Sequence, residues 1–371
     1  MNVRALRRSS AVLALSMLPS LAYGQHYHQT DLVSNVAAPP VVNDANVRNA
    51  WGLVHGAATP WWISNNTTGT STLINASTAP VTLPPLVVTV PAAPGSSALG
   101  TPTGIAFNGS PTDFLLAPDK PALFIWVTED GTVSGWNSGV DPTHAIIKAD
   151  NSQKPARNHG AVYKGVTIGE IDGRRFLFAA NFRSGRIDVF DSSFTQVHLD
   201  HDAFRDESLP HGFAPFNIQG IGRNLYVTYA RQDNDKHDEV AGAGLGFVDV
   251  FSTRGRLLAR LQHGPWLNAP WGVTLAPAYF GEFSHAVLVG NFGDGTISAF
   301  NAVTGRFIGK VLKEDGSMLA VEGLWGLAFG NGGASGPGNT LFFTAGPDDE
   351  QNGLFGTLTP VAAELNDNDE P

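Results

Sequence analysis

One motif recurs six times along this chain at a nearly constant interval, and that repetition limits the fold more than any other feature. An apolar strand is introduced by an aromatic-glycine pair in "NAWGLVHG" at Trp51, "APWGVTLAP" at Trp271 and "GLWGLAFG" at Trp325. Weaker copies are "TPTGIAFNG" at Thr103, "VYKGVTIG" at Tyr163 and "APFNIQGIG" at Phe216. Successive copies lie 52, 60, 53, 55 and 54 residues apart. A unit repeated at this period cannot bury its apolar face alone, so neighbouring units must stack.

Each copy continues alike. A second apolar run follows ("PWWISNN", "ALFIWVTED", "RFLFAANF", "NLYVTYA", "AVLVGNF", "TLFFTAG"), then a Gly-containing turn and a third strand. A fourth strand closes the first five copies. Four short strands per unit, six times over, predict an all-β fold, a six-bladed β-propeller of four-stranded blades. The sixth copy stops after its third strand near Leu358, and "HQTDLVSN", His28 to Asn35, stands alone at the other end of the chain. We expect this N-terminal strand to close the last blade and so remove an exposed sheet edge. Trp51, Trp271 and Trp325 are expected to wedge between neighbouring blades, with the following glycines allowing close backbone approach.

Composition agrees with such a fold. Of 371 residues, 42 are Gly and only 15% are charged, against about a quarter in ordinary domains. The absence of Cys excludes disulfides, thiol nucleophiles and thiolate metal sites. Residues 1–24 read as a signal peptide: Arg4, Arg7 and Arg8 precede the apolar run Ala11 to Leu21, and Ala22-Tyr23-Gly24 supplies small residues before a cleavage site at Gln25. Residues 25–360 read as one propeller, and 361–371, ending "ELNDNDEP", as a disordered polar tail. The chain is therefore expected to be exported to the periplasm or beyond, without a membrane span and as a monomer. Its net charge of −10 becomes −13 once three arginines leave with residues 1–24, which argues against nucleic acid as a partner.

Whole phrases, among them "LFAANFRSGRIDVFDSSF", "APFNIQGIGRNLYVTYA", "DKHDEVAGAG" and "LVGNFGDGTISAFN", resemble NHL-type six-bladed propellers. More closely, they resemble a family of uncharacterised exported bacterial propellers, some of which carry PEP-CTERM sorting tails; the end of this chain shows no such tail. The resemblance implies the fold and export, and no activity.

Chemistry must then be sought where propellers bind ligands, over the channel mouth. Inter-blade entries offer Asn49, His159, His211, Asn268 and Glu322, and loops between second and third strands offer Asn65, Glu129, Asn181, Arg231, Asn291 and Asp348. A ring of amide oxygens with one or two carboxylates suits Ca²⁺, a possible cofactor. "EGLW" at Glu322 is similar to, but one residue shorter than, the "EGPxW" motif of lactonase-type propellers. A metal held by Glu322, Asn49, Asn181, Asn268 and Asn291 would polarise an ester carbonyl, with His159 or His211 as general base. The alternative is that these groups satisfy backbone donors at blade junctions.

The stretch "RQDNDKHDEVAGAG", Arg231 to Gly244, is an enlarged loop of the fourth unit over the same mouth. Asp233, Asp235, Asp238 and Glu239 match a calcium loop only loosely. The stretch reads by default as a solvated charge run, otherwise as a ligand loop using Arg231, Lys236 and His237, or as a metal site. Three functions follow: a binding module for a protein, peptide or glycan; a metal-dependent lactonase or esterase; or an inert structural domain.

Overall fold

A computed structural model describes residues 25–38, 41–156 and 159–365. The expected signal peptide, residues 1–24, lies outside the described residues. Six antiparallel four-stranded blades form a closed ring. The first strands, nearest the axis, are Ala50–Val54, Pro102–Phe107, Tyr163–Ile171, Phe213–Ile221, Pro270–Leu275 and Leu324–Phe329. Blade 6 takes Leu341–Ala345 and Leu354–Pro360 from the C-terminal end and His26–Ser34 from the N-terminal end. The closing strand pairs antiparallel with Leu354–Pro360, from Tyr27 opposite Pro360 to Ser34 opposite Leu354, so it begins two residues before the expected start.

Because side chains alternate along a strand, each blade feeds two interfaces. Trp61 and Ile63 pack towards blade 6, whereas Trp62, between them, packs towards blade 2. Six apolar clusters correspond to the six blade interfaces. This explains why the middle strands read as unbroken apolar runs and not as alternating ones.

A seventh cluster lies on the axis and joins Trp51, Phe182, Phe216, Trp271 and Trp325. Every first strand carries a β-bulge against its second strand where the repeated dipeptide falls. Bulges re-aim side chains, and here they turn the residue before the glycine towards the axis. The tryptophans therefore do not wedge between blades, as the repeat suggested, but meet across the ring. Trp51 stacks on Trp325 at 3.7 Å between ring centroids, Phe292 covers the other face of Trp325 at 4.0 Å, and Trp271 meets both tryptophans edge-on. The glycines serve close approach: a Cβ on Gly52 would lie 2.3 Å from the Thr103 carbonyl, and one on Gly272 2.5 Å from that of Trp325. Blade 4 has Asn217 instead, whose Nδ2 donates to the Trp271 carbonyl at 2.9 Å. At this level the axis holds a cavity of only about 20 Å³, room for about one water. The channel is thus plugged at this level, and a ligand approaching the axis is stopped at the mouth.

Of the tail expected to be disordered, residues 361–365 are described and carry the 3₁₀ turn Ala362–Glu364; residues 366–371 lie outside the described residues.

Candidate ligand site at the channel mouth

In the third unit the residue before the glycine is Lys164, at the position held elsewhere by Trp51, Thr103, Phe216, Trp271 and Trp325. The bulge between Tyr163 and Gly165 brings its side chain to the axis, where it is 1% exposed. Its ammonium donates to Glu129 Oε1 at 2.5 Å and Asp238 Oδ1 at 3.1 Å. It also stands 5.1 Å from the centre of the Trp51 ring, a cation–π contact. Burial alone would lower the lysine pKa, but the carboxylates of Glu129, Glu239 and Asp238 outweigh it and hold the group above its ordinary value. Lys164 therefore stays charged.

A hydrogen-bonded chain crosses the mouth from blade 2 to blade 6. Asn66 Nδ2 donates to Glu129 Oε2 at 2.9 Å, and Asn49 Nδ2 reaches Asn66 Oδ1 at 3.4 Å and Glu350 Oε2 at 3.0 Å. Glu350 ends a run of three non-glycine residues, Asp348, Asp349 and Glu350, with φ of 60°, 48° and 65°. Such left-handed backbone costs roughly 1–2 kcal/mol per residue. Glu322, exposed, stabilises that turn by accepting the Asp348 N–H at 3.0 Å.

Blade 4 supplies the remaining side. The charged stretch folds back as a β-ribbon, with Arg231 opposite Val240 and Gln232 opposite Glu239, and its turn is closed by Asp233 N–H to the Asp238 carbonyl. Lys236, with φ of 55°, and Asp235 lie exposed at the tip, and Arg231 is exposed on the outgoing strand. The returning strand carries His237, Asp238 and Glu239 to the mouth. Half of the stretch is thus solvated and half enters the site. His237 Nδ1 lies 2.8 Å from Asp238 Oδ1. That bond raises the histidine pKa and holds the Asp238 carboxyl well below its usual range.

The mouth therefore gathers Glu129, Asp238, Glu239 and Glu350 around one lysine and one histidine. Burial raises the Glu239 pKa, with Lys164 opposing. Burial, then the charges of Glu239 and Glu129, push Glu350 up to about 7. Four carboxyl groups thus face two basic side chains, and burial holds Glu239 and Glu350 above the usual carboxyl range.

The amide oxygens expected around a metal are already taken up by N–H donors. Asn181 Oδ1 accepts from Ser184 N, Asn268 Oδ1 from Gly242 N, Asn291 Oδ1 from Asn268 N and Asn49 Oδ1 from Trp325 Nε1. Most of these oxygens satisfy loop N–H groups that have left the strand ladder. His211 is exposed; the backbone of His159 pairs with Ala156, while its side chain lies outside the described residues. Glu129, His237 and Asp238 do offer ligand atoms within 4.8 Å of one another. The Lys164 ammonium, however, already bonds both carboxylates, so a metal there would face a second positive charge at close range. The donor set does not fit Ca²⁺.

Lys164 and Glu350 escaped the sequence reading. The signal for Lys164 was present: a charge stands before the glycine where other copies place an aromatic or threonine. Registering the third copy on Tyr163 hid it.

No family model matches the chain. Among solved structures, a Bacteroides thetaiotaomicron protein of unknown function aligns over 91% of this chain and 76% of its own at a TM-score of 0.53 and 10% identity. Streptogramin B lyase aligns over 91% and 98% at 0.48 and 12%. At such identity the likeness concerns the fold alone. Uncharacterized protein R648 of Acanthamoeba polyphaga mimivirus is 33% identical over 341 residues, 88% of this chain and 78% of that protein. Uncharacterized protein L690 of the same virus is 30% identical over 352 residues, 88% and 84%. With sequence likeness of that extent added to the ring of six blades, the chain belongs to the family of propellers that includes these two mimivirus proteins.

Proposed function

We propose that this protein is an interaction module that captures a cationic group of its ligand, the amine or guanidinium of a basic peptide, at the channel mouth. The observation that carries this reading is the surplus of carboxylates held over a plugged channel. Burial, reinforced by the charges of Glu239 and Glu129, keeps Glu350 at about pKa 7, and a ligand cation would favour its ionised form. The left-handed turn that presents Glu350 supports the same reading, because strain persists where surrounding structure maintains a geometry. The reading of residues 1–24 as a signal peptide supports a setting outside the cytoplasm, and among the described residues no helix is long and apolar enough to cross a membrane.

Calorimetric titration of the protein with a lysine- and arginine-rich peptide near pH 7, in two buffers of different ionisation enthalpy, tests the idea. Binding should release protons as Glu350 ionises, and Glu350→Gln should abolish that release. Binding without a buffer dependence, or unaltered affinity in both Glu239→Gln and Glu350→Gln, would remove the assignment. The competing reading, a metal-dependent hydrolase of lactones or esters, draws on the proximity of Glu129, His237 and Asp238. It requires melting to shift with Ca²⁺, Mg²⁺ or Zn²⁺.

A further inference from the structure

The closing strand begins in a niche that serves no evident purpose for a mid-chain residue. Gln25 is 7% exposed. Its backbone nitrogen donates to Glu282 Oε2 at 3.1 Å, so a full carboxylate is placed where a carbonyl would satisfy one amide. Its side-chain Nε2 is held by the carbonyls of His26 at 3.0 Å and Val361 at 3.2 Å, and by Glu364 Oε2 at 3.3 Å. Glu364 is itself fixed by the His26 amide at 2.7 Å and the His26 ring at 2.8 Å. The floor of the niche is Gly281, with φ of 64°; a Cβ there would lie 2.6 Å from Gln25 Oε1. The site is therefore shaped to this glutamine, and it coincides with the residue that follows Ala22-Tyr23-Gly24, with small residues at the −3 and −1 positions.

We propose that cleavage between Gly24 and Gln25 creates an α-ammonium that Glu282 receives, and that this niche keeps the new N-terminal glutamine from cyclising. Cyclisation forms a bond from Nα to Cδ, breaks the bond from Cδ to Nε2 and expels ammonia. It needs a neutral amine free to reach the side-chain carbon. Here the carboxylate of Glu282 favours the protonated amine, and three acceptors restrain the amide that would have to leave. An N-terminal glutamine on a mobile tail has neither restraint. The niche thus preserves a free terminus while seating the strand that closes the ring.

The test uses the full chain exported by a bacterial host through its general secretory pathway, followed by intact-mass measurement of the purified protein over days. The expected mass is that of residues 25–371 with ammonia retained. Three restraining hydrogen bonds predict that loss of ammonia is roughly tenfold or more slower in the folded protein than in the same protein in concentrated urea. Glu282→Gln should speed the native reaction, and Gly281→Ala, which pushes on Gln25 while leaving Glu282, should do so independently. A terminus at another residue, a fully cyclised terminus on isolation, or equal rates folded and unfolded would each overturn the proposal.

Discussion

Lys164 is a lysine at a tryptophan's position, and its energetics follow from what surrounds it. The ammonium is fully buried, and its partners differ: Glu129 is 11% exposed and Asp238 61%. Replacing it by methionine keeps the packing on Trp51 but leaves four carboxylates without their buried counter-charge. Removing one partner of a buried pair typically costs about 3–5 kcal/mol; with Asp238 partly solvated we expect the lower end for Lys164→Met, read from urea unfolding at neutral pH. Glu350 is expected to behave in the opposite sense. A native carboxyl that holds its proton up to about pH 7, where the unfolded one loses it near its ordinary 4.5, makes folding less favourable as pH rises through that window. Glu350→Gln should therefore be more stable than the wild type at about pH 8, by roughly 1–2 kcal/mol after allowance for solvent. The two should converge below about pH 4.5. A difference that persists there would mean that Glu350 acts through packing and not through its charge.

At the scale of elements, two segments owe their places to contacts far away in sequence. The ribbon Arg231–Val240 is anchored by Asp238 on Lys164. Asp238→Asn should speed amide exchange through the ribbon several-fold, while global stability changes by no more than about 1 kcal/mol, as befits an exposed partner. Uniform exchange across the blades would show instead that the ribbon is part of the global unit. The closing strand is different. Tyr27 is fully buried, lies against Phe280 and Phe283, and donates its hydroxyl to the Phe280 carbonyl at 2.9 Å. Tyr27→Ala should cost about 3–5 kcal/mol, measured by chemical denaturation. A cost below about 1 kcal/mol would contradict the closure role of this strand. The repeat made the strand's destination legible, because the sixth copy lacks a fourth strand. It did not make Tyr27's partners legible, since these come from blade 5.

On the scale of the whole molecule, the ring closes because its innermost strands nearly touch. Gly272→Ala would place a methyl 2.5 Å from the Trp325 carbonyl, a backbone atom that cannot turn aside, and overpacking of this kind costs about 1–3 kcal/mol. The same substitution at the solvent-facing Gly173 meets nothing within 4 Å, though its φ of 73° makes alanine strained there. Equal urea midpoints for Gly272→Ala and wild type would refute the close-approach account.

Blade number, strand count and the closing strand could be read from the chain alone, because periodicity and turn residues are local signals that every copy restates. The direction in which the repeated aromatics point could not, because it depends on a bulge in each first strand, and a bulge appears only when two strands are set in register. The mouth was harder still. Lys164, Glu129, Asp238, Glu239, Glu350 and Asn49 come from five blades, and no spacing along a chain records which side chains a closed ring brings face to face. Their charges and pKa shifts arise from burial and mutual repulsion across that ring, and these exist only once the ring has closed.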